Sequence, residues 1–142
     1  MKIEVKRLPH AGDLPLPERH SEGAAGYDLR AAETVDIANG EQVLIKTGFA
    51  WAIPTGHVGL IKDRSSMALK RRLVTHAGVI DSDYRGDVGV ILSNESNYGH
   101  TIERGERIAQ MLIVPVAMAD LVEVDELDAT ERGEGGYGST GQ

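Results

Sequence analysis

The feature that most constrains this chain is its punctuation: short apolar-rich stretches recur along most of its length, each cut by Gly, Pro or Asn before reaching helical length. Lys2 to Leu8 sets Ile3 and Val5 between charged neighbours, the period-two pattern of a half-buried strand. A Pro- and Gly-marked loop runs from Pro9 to Ser21, and strands are expected over Gly26 to Ala31, Thr34 to Ile37 and Gln42 to Ala50. Ile53-Pro54-Thr55-Gly56 signals a turn. The β pattern resumes over Val58 to Ile61, from Gly78 onward including Asp87 to Ser93, over Ile108 to Val116, and weakly at Leu121, Val122 and Val124. Only Ser66 to Arg72 has helix-forming composition, with Ser65 or Ser66 as a candidate cap, and its brevity makes it a connector. Many short strands without alternating long helices predict an all-β fold, a sandwich or jelly-roll-like β-barrel, with function in its loops.

A length of 142 residues suits one domain with a real core and leaves no room for a second of ordinary size. The site must then lie within that domain or borrow parts from copies of it. With one Trp, one Phe and four Tyr, the core must come mainly from Val, Ile, Leu and Ala. The formal charge of -7, relieved by one compact basic stretch at Lys70-Arg71-Arg72, argues against a nucleic-acid partner. The absence of cysteine excludes disulfides, thiol chemistry and Cys-ligated zinc. His10, His20, His57, His76 and His100 are scattered without metal-ligand spacing. No apolar run approaches a membrane span and Met1-Lys2-Ile3-Glu4 does not open a signal peptide, so a cytoplasmic protein without membrane association is expected.

Five segments carry candidate chemistry. Asp28, in Ala25 to Ala31, is either a ladder-edge residue or a carboxylate for a metal near phosphates. Arg64-Ser65-Ser66 reads as a helix cap beside a surface Arg, or as a phosphate grip combining a guanidinium fork with hydroxyls and amides. Gly78 to Gly86 places Asp81 and Asp83 after an apolar strand. That is an Asx turn with Tyr84 packing on a sheet, or a carboxylate that orients and deprotonates water beside an aromatic platform. Gln110 interrupts an apolar run and must face solvent or have a specific partner, for which phosphate is a candidate. Arg132 to Gly141 holds five glycines in ten residues and too little apolar area for a core. It reads as a frayed end, or as a lid whose amides wrap phosphates; it lacks the order of a Walker loop.

Together and in this order, Ala25 to Ala31, Asp63 to Ser66, Gly78 to Gly86, Gly105 to Gln110 and Arg132 to Gly141 resemble the five motifs of the trimeric dUTPase family. The resemblance spans nearly the whole chain and implies a jelly roll that hydrolyses dUTP to dUMP and pyrophosphate, assisted by Mg²⁺. It implies a homotrimer with three shared sites, one subunit giving the first, second and fourth motifs, a neighbour the third, and the remaining subunit its arm. Residues 1-130 would form the β domain and residues 131-142 the mobile arm. Asp81 would be the general base for water attack on the α-phosphorus, and Asp28 would hold the hydration shell of Mg²⁺. Tyr84 would pack beneath deoxyribose, with backbone around Gly78 and Tyr84 reading uracil. Arg64, Ser65, Ser66, Gln110, Arg132, Ser139 and Thr140 would meet phosphates, with Gly138 in the same arm and Tyr137 stacking on the base.

Three places depart from the family pattern. Asp63 stands where Pro is usual, Thr75-His76-Ala77 where Asn or small residues are frequent, and Tyr137 where Phe is more common. The rival readings are a dCTP deaminase-like enzyme of the same fold and a non-catalytic module that senses dUTP.

Overall fold

The computed structural model describes residues 1–138. Its strands are β1 (Glu4–Arg7), β2 (Tyr27–Arg30), β3 (Val35–Ile37), β4 (Gln42–Lys46), β5 (Phe49–Ala52) and β6 (His57–Asp63), followed by β7 (Leu73–His76), β8 (Val79–Ile80), β9 (Gly89–Asn94), β10 (His100–Ile102) and β11 (Arg107–Pro115). The largest sheet orders β2-β11-β6-β8, the next β4-β9-β7, and β1-β5 and β10-β3 pair separately. All pairings are antiparallel. The β architecture matches the expectation, while no sheet among the described residues closes into a barrel.

The core is aliphatic, as the scarcity of rings demands. Leu29, Ile37, Ile45, Leu73, Leu92, Ile102, Ile108 and Met111 are fully buried, joined by Phe49 and Trp51. Central β11 buries Ile108, Ala109 and Met111 while carrying Arg107 and Gln110, partly open, toward the site.

Several expected elements differ. Gln42 to Ala50 is two strands, because the chain turns at Thr47-Gly48. Gly48 has φ +77, and a Cβ there would stand 2.6 Å from the Ala11 Cβ, so both the turn and the close approach require glycine. β7 and β10 are strands that the pattern does not single out. The connector after Ser66 is a five-residue π-helical turn, Met67–Arg71, anchored by buried Met67 and ended by Arg72 in the left-handed region. Leu121, Val122 and Val124 form no strand: among the described residues no strand runs beside them, and Leu121 is 98% exposed. From Val116 to Gly138 the chain has neither helix nor strand. Among the described residues, no helix is long and apolar enough to cross a membrane.

Candidate active site

Three segments far apart in sequence meet at a first cleft of about 260 Å³, lined by His20, Asp28, Arg64, Ser65, Ser66, Arg107 and Gln110. β11 brings them together because it pairs with β2 on one side, setting Gln110 opposite Asp28, and with β6 on the other, setting Gln110 opposite Lys62. The Asp28 carboxylate is only 13% exposed and lies between two guanidiniums, Arg64 Nε at 3.2 Å from one oxygen and Arg107 Nη1 at 3.2 Å from the other. Arg64 also donates from Nη1 to the Arg107 carbonyl at 3.2 Å. Two cations around one carboxylate leave the cluster with a positive balance, which suits an anion.

The Gln110 amide has found a protein partner. Its Nε2 donates to the Asp63 carbonyl at 2.9 Å, and its side chain lies on Gly26, where a Cβ would stand 2.7 Å from Oε1. Ser65 and Ser66 are exposed, and the Ser66 side chain makes no capping hydrogen bond. The capping role is therefore not what occupies that hydroxyl. Asp63 turns its carboxylate onto the Thr75 backbone N–H at 2.6 Å, giving its charge a partner within the chain.

A second cleft of about 420 Å³ holds the third motif, with Gly78, Asp81 and Tyr84 in its lining. Here β8 pairs with β6 and the Gly78 carbonyl accepts Ile61 N–H at 2.7 Å. Gly78 has φ +85, and a Cβ would stand 2.8 Å from the Ile61 carbonyl oxygen. Ala77 before it is also left-handed, at φ 55, a strained setting for a residue with a Cβ. Asp81 opens a turn closed by Tyr84 N–H on its carbonyl at 3.2 Å. Its carboxylate is exposed and accepts no hydrogen bond from the described residues. Tyr84 lies over Gly86 and donates its hydroxyl to the Asp87 carbonyl at 3.1 Å.

No residue lines both clefts. Within one chain, then, Asp28, Arg64, Ser65, Ser66 and Gln110 come together, while Gly78, Asp81 and Tyr84 form a separate group. Arg132 and Tyr137 join neither: Arg132 Nε bonds locally to the Gly135 carbonyl at 2.8 Å, and Tyr137 is fully exposed at φ 51. Gly138 is likewise exposed, and Ser139 and Thr140 lie outside the described residues.

Among the described residues no three His, Asp or Glu side chains gather as a metal cage. Asp28 is the one carboxylate that the described residues bring to the first cleft, and both its oxygens already face guanidiniums. That donor set does not fit direct ligation of Mg²⁺ by the protein alone, and a hydrated Mg²⁺ would be held there through its water only beside a phosphate anion that offsets the two guanidiniums.

Arg107 is the residue that the sequence reading missed. It lies inside the quoted fourth motif, but three residues before Gln110, and strict alternation would put the two on opposite faces. The register shifts between Arg107 and Ala109: Arg107 pairs with Arg30 and Gln110 with Asp28, so three steps on β11 match two on β2. This bulge turns Arg107 into the cleft.

Comparison with known proteins agrees with the fold. The dUTPase family model matches residues 13–141. The deoxyuridine 5'-triphosphate nucleotidohydrolase of Methylocella silvestris is 50% identical over 147 residues, covering 99% of this chain and 92% of that protein. The enzyme of the same name from Zymomonas mobilis is 46% identical over 143 residues, covering 99% and 98%. Among solved structures, Staphylococcus bacteriophage 80alpha dUTPase with dUPNHPP superposes with a TM-score of 0.92 at 35% identity, over 99% of both chains. A mutant dUTPase of S. aureus phage phi11, solved to reveal the coordination of a structural Mg(II) ion, has a TM-score of 0.85 at 30% identity, over 91% of this chain and all of that one. Matched along nearly its full length by family model, by relatives and by fold, this chain belongs to the dUTPase family.

Proposed function

We propose that the protein hydrolyses dUTP to dUMP and pyrophosphate in sites completed between copies of itself, as a homotrimer with a jelly-roll-like chain path. The observation that carries this reading is the convergence of Asp28, Arg64, Ser65, Ser66, Arg107 and Gln110 on one cleft, apart from an Asp81 that has no side-chain partner among the described residues, beside Tyr84 in another. A triphosphate grip and a water-activating acid that do not meet in one chain can meet between two.

In this mechanism Asp81 orients a water and takes its proton as the water oxygen bonds to the α-phosphorus. The bond from that phosphorus to the α–β bridging oxygen breaks, and pyrophosphate leaves with the electron pair. Arg64, Ser65, Ser66 and Gln110 bind phosphoryl oxygens and Arg107 adds its charge, lowering the barrier because these donors are in place beforehand. Asp28 would hold the hydration shell of Mg²⁺, which would supply neutralisation of the triphosphate charge when bound. Tyr84 packs beneath the deoxyribose and leaves no space for a 2'-hydroxyl, and backbone around Gly78 and Tyr84 reads the uracil edge. The arm, residues 131-142, brings Arg132, Ser139 and Thr140 to the phosphates and Tyr137 to the base, with Gly138 allowing close approach, and it excludes water as it orders. Among the described residues, the hydrogen bonds of the arm stay within residues 130–135, which supports this role.

The test is a Mg²⁺-dependent pyrophosphate-release assay on dUTP, dTTP, dCTP and UTP. Release from dUTP alone is the expected result. Ammonia from dCTP would favour the deaminase reading, and tight dUTP binding without turnover would favour a sensing module.

A further inference from the structure

We infer that His10 and Asp87 are positioning residues that set the sugar selectivity of the site by holding the Tyr84 ring. The inference rests on the proposed contact between Tyr84 and deoxyribose. Neither residue belongs to the five motifs, and they stand 77 positions apart in the chain.

Asp87 is fixed at three points. One carboxylate oxygen accepts Gly48 N–H at 2.9 Å, and the other lies 2.6 Å from His10 Nε2. A carboxylate only accepts, so the imidazole Nε2 carries the hydrogen. At its carbonyl, Asp87 accepts the Tyr84 hydroxyl at 3.1 Å. The ring is bounded on one side as well, since a Cβ on Gly86 would lie 2.4 Å from the Tyr84 oxygen. The tip of the ring is thus set by Asp87 and its underside by Gly86.

The ground beneath Asp87 is firm. Val88 N–H donates to the Phe49 carbonyl at 2.9 Å, and Thr47 returns hydrogen bonds from N and Oγ1 to the Val88 carbonyl at 3.2 and 2.6 Å. The turn that carries His10 packs against the same place, with Ala11 against Gly48 and Leu8 N–H on the Gly48 carbonyl at 2.9 Å. A chain of contacts therefore runs from His10 through Asp87 to the Tyr84 hydroxyl.

This pair has little to offer as a stabiliser. The His10 side chain is 42% exposed and that of Asp87 16%, a setting in which an ion pair contributes little net stability. Its geometric effect is larger. Exclusion of a hydroxyl by contact with a ring depends steeply on distance, so a small tilt of Tyr84 makes room for a ribose.

The experiment compares His10→Ala, His10→Gln, Tyr84→Phe and the His10→Ala/Tyr84→Phe double variant, using kcat/KM for dUTP and for UTP. In His10→Ala the dUTP-to-UTP ratio is expected to fall about 5-fold, the effect of one lost hydrogen bond, mainly through a higher KM for dUTP and faster use of UTP. His10→Gln, which can donate again to Asp87, is expected to restore the ratio. In the Tyr84→Phe background the His10→Ala change is expected to add nothing, because the link to the ring is already cut. Tyrosine-ring NMR gives a readout independent of turnover: the Tyr84 signal, assigned by its loss in Tyr84→Phe, should move in His10→Ala and return in His10→Gln. A parent selective for dUTP whose ratio and Tyr84 signal ignore His10→Ala overturns this inference alone, as does simple multiplication of the two effects in the double variant. A parent that does not hydrolyse dUTP overturns the functional reading and the selectivity claim together.

Discussion

The Asp63 carboxylate accepts the Thr75 backbone N–H at 2.6 Å, tying the end of β6 to the strand that leads into the third motif. Its carbonyl meanwhile takes the Gln110 amide, so one residue braces both clefts. Removing the side chain strands a partly buried N–H. Asp63→Ala is expected to lower the unfolding free energy by about 1–3 kcal/mol, while Asp63→Asn, which still offers an oxygen, retains most of it. Denaturant midpoints at fixed protein concentration check this, and identical midpoints for parent and Asp63→Ala would remove the brace.

Gly26 is buried beneath the Gln110 side chain. A methyl group there would push Gln110 off the Asp63 carbonyl, so Gly26→Ala is expected to cost about 1–3 kcal/mol through overpacking. Turnover should fall more than this loss of folded protein explains. Wild-type kinetics in a folded Gly26→Ala protein would show that Gln110 needs no such seat.

Asp81→Asn keeps the size of the side chain but removes its capacity to take a proton. Turnover of dUTP is expected to drop about 10²-fold or more. Calorimetric affinity for a non-hydrolysable dUTP analogue should stay near the parent value. Unchanged turnover would assign the base to another residue.

Two clefts on one chain allow a mixing test. Asp28→Asn and Asp81→Asn are each expected to be nearly inactive. Refolded together in equal amounts they should regain activity in about one quarter of the sites, the random frequency with which two different copies contribute intact halves. No recovery in a properly assembled mixture would mean that each chain builds its site alone.

Among the described residues, deleting 132–142 removes no part of the core, since Arg132 to Glu134, Tyr137 and Gly138 are exposed and Arg132 bonds only within its own turn. The shortened protein is expected to melt within about 2 °C of the parent, as a change of well under 1 kcal/mol implies. It should also lose most dUTP turnover. Normal turnover would leave the arm without a role in closure.

The strands were readable wherever alternation stood clear between turn residues, as at β1, β2 and β9. Thr47-Gly48 was hidden because only two residues separate β4 from β5, and what forces the turn is Ala11, distant in sequence. Leu121, Val122 and Val124 mislead because β propensity expresses a fit to a neighbouring strand, and the described residues supply none there. In the first cleft Asp28, Arg64 and Gln110 were legible by residue type and motif. The grip of two guanidiniums on Asp28 was not, because pairing between β2 and β11 creates it. The Asp63 departure gains its meaning only from Thr75, which folding brings to it.

The bulge in β11 ties the chemistry of the first cleft to a count of residues. Arg107 reaches Asp28 because β11 holds one surplus residue against β2. Were Arg107 to Gln110 to run in regular alternation with nothing bulged out, the three steps between them would set the guanidinium on the far side of the sheet. No residue lining the cleft would have been substituted, yet its charge would change. The bulge therefore sets the charge of the cleft as firmly as the identity of the residues the strand displays.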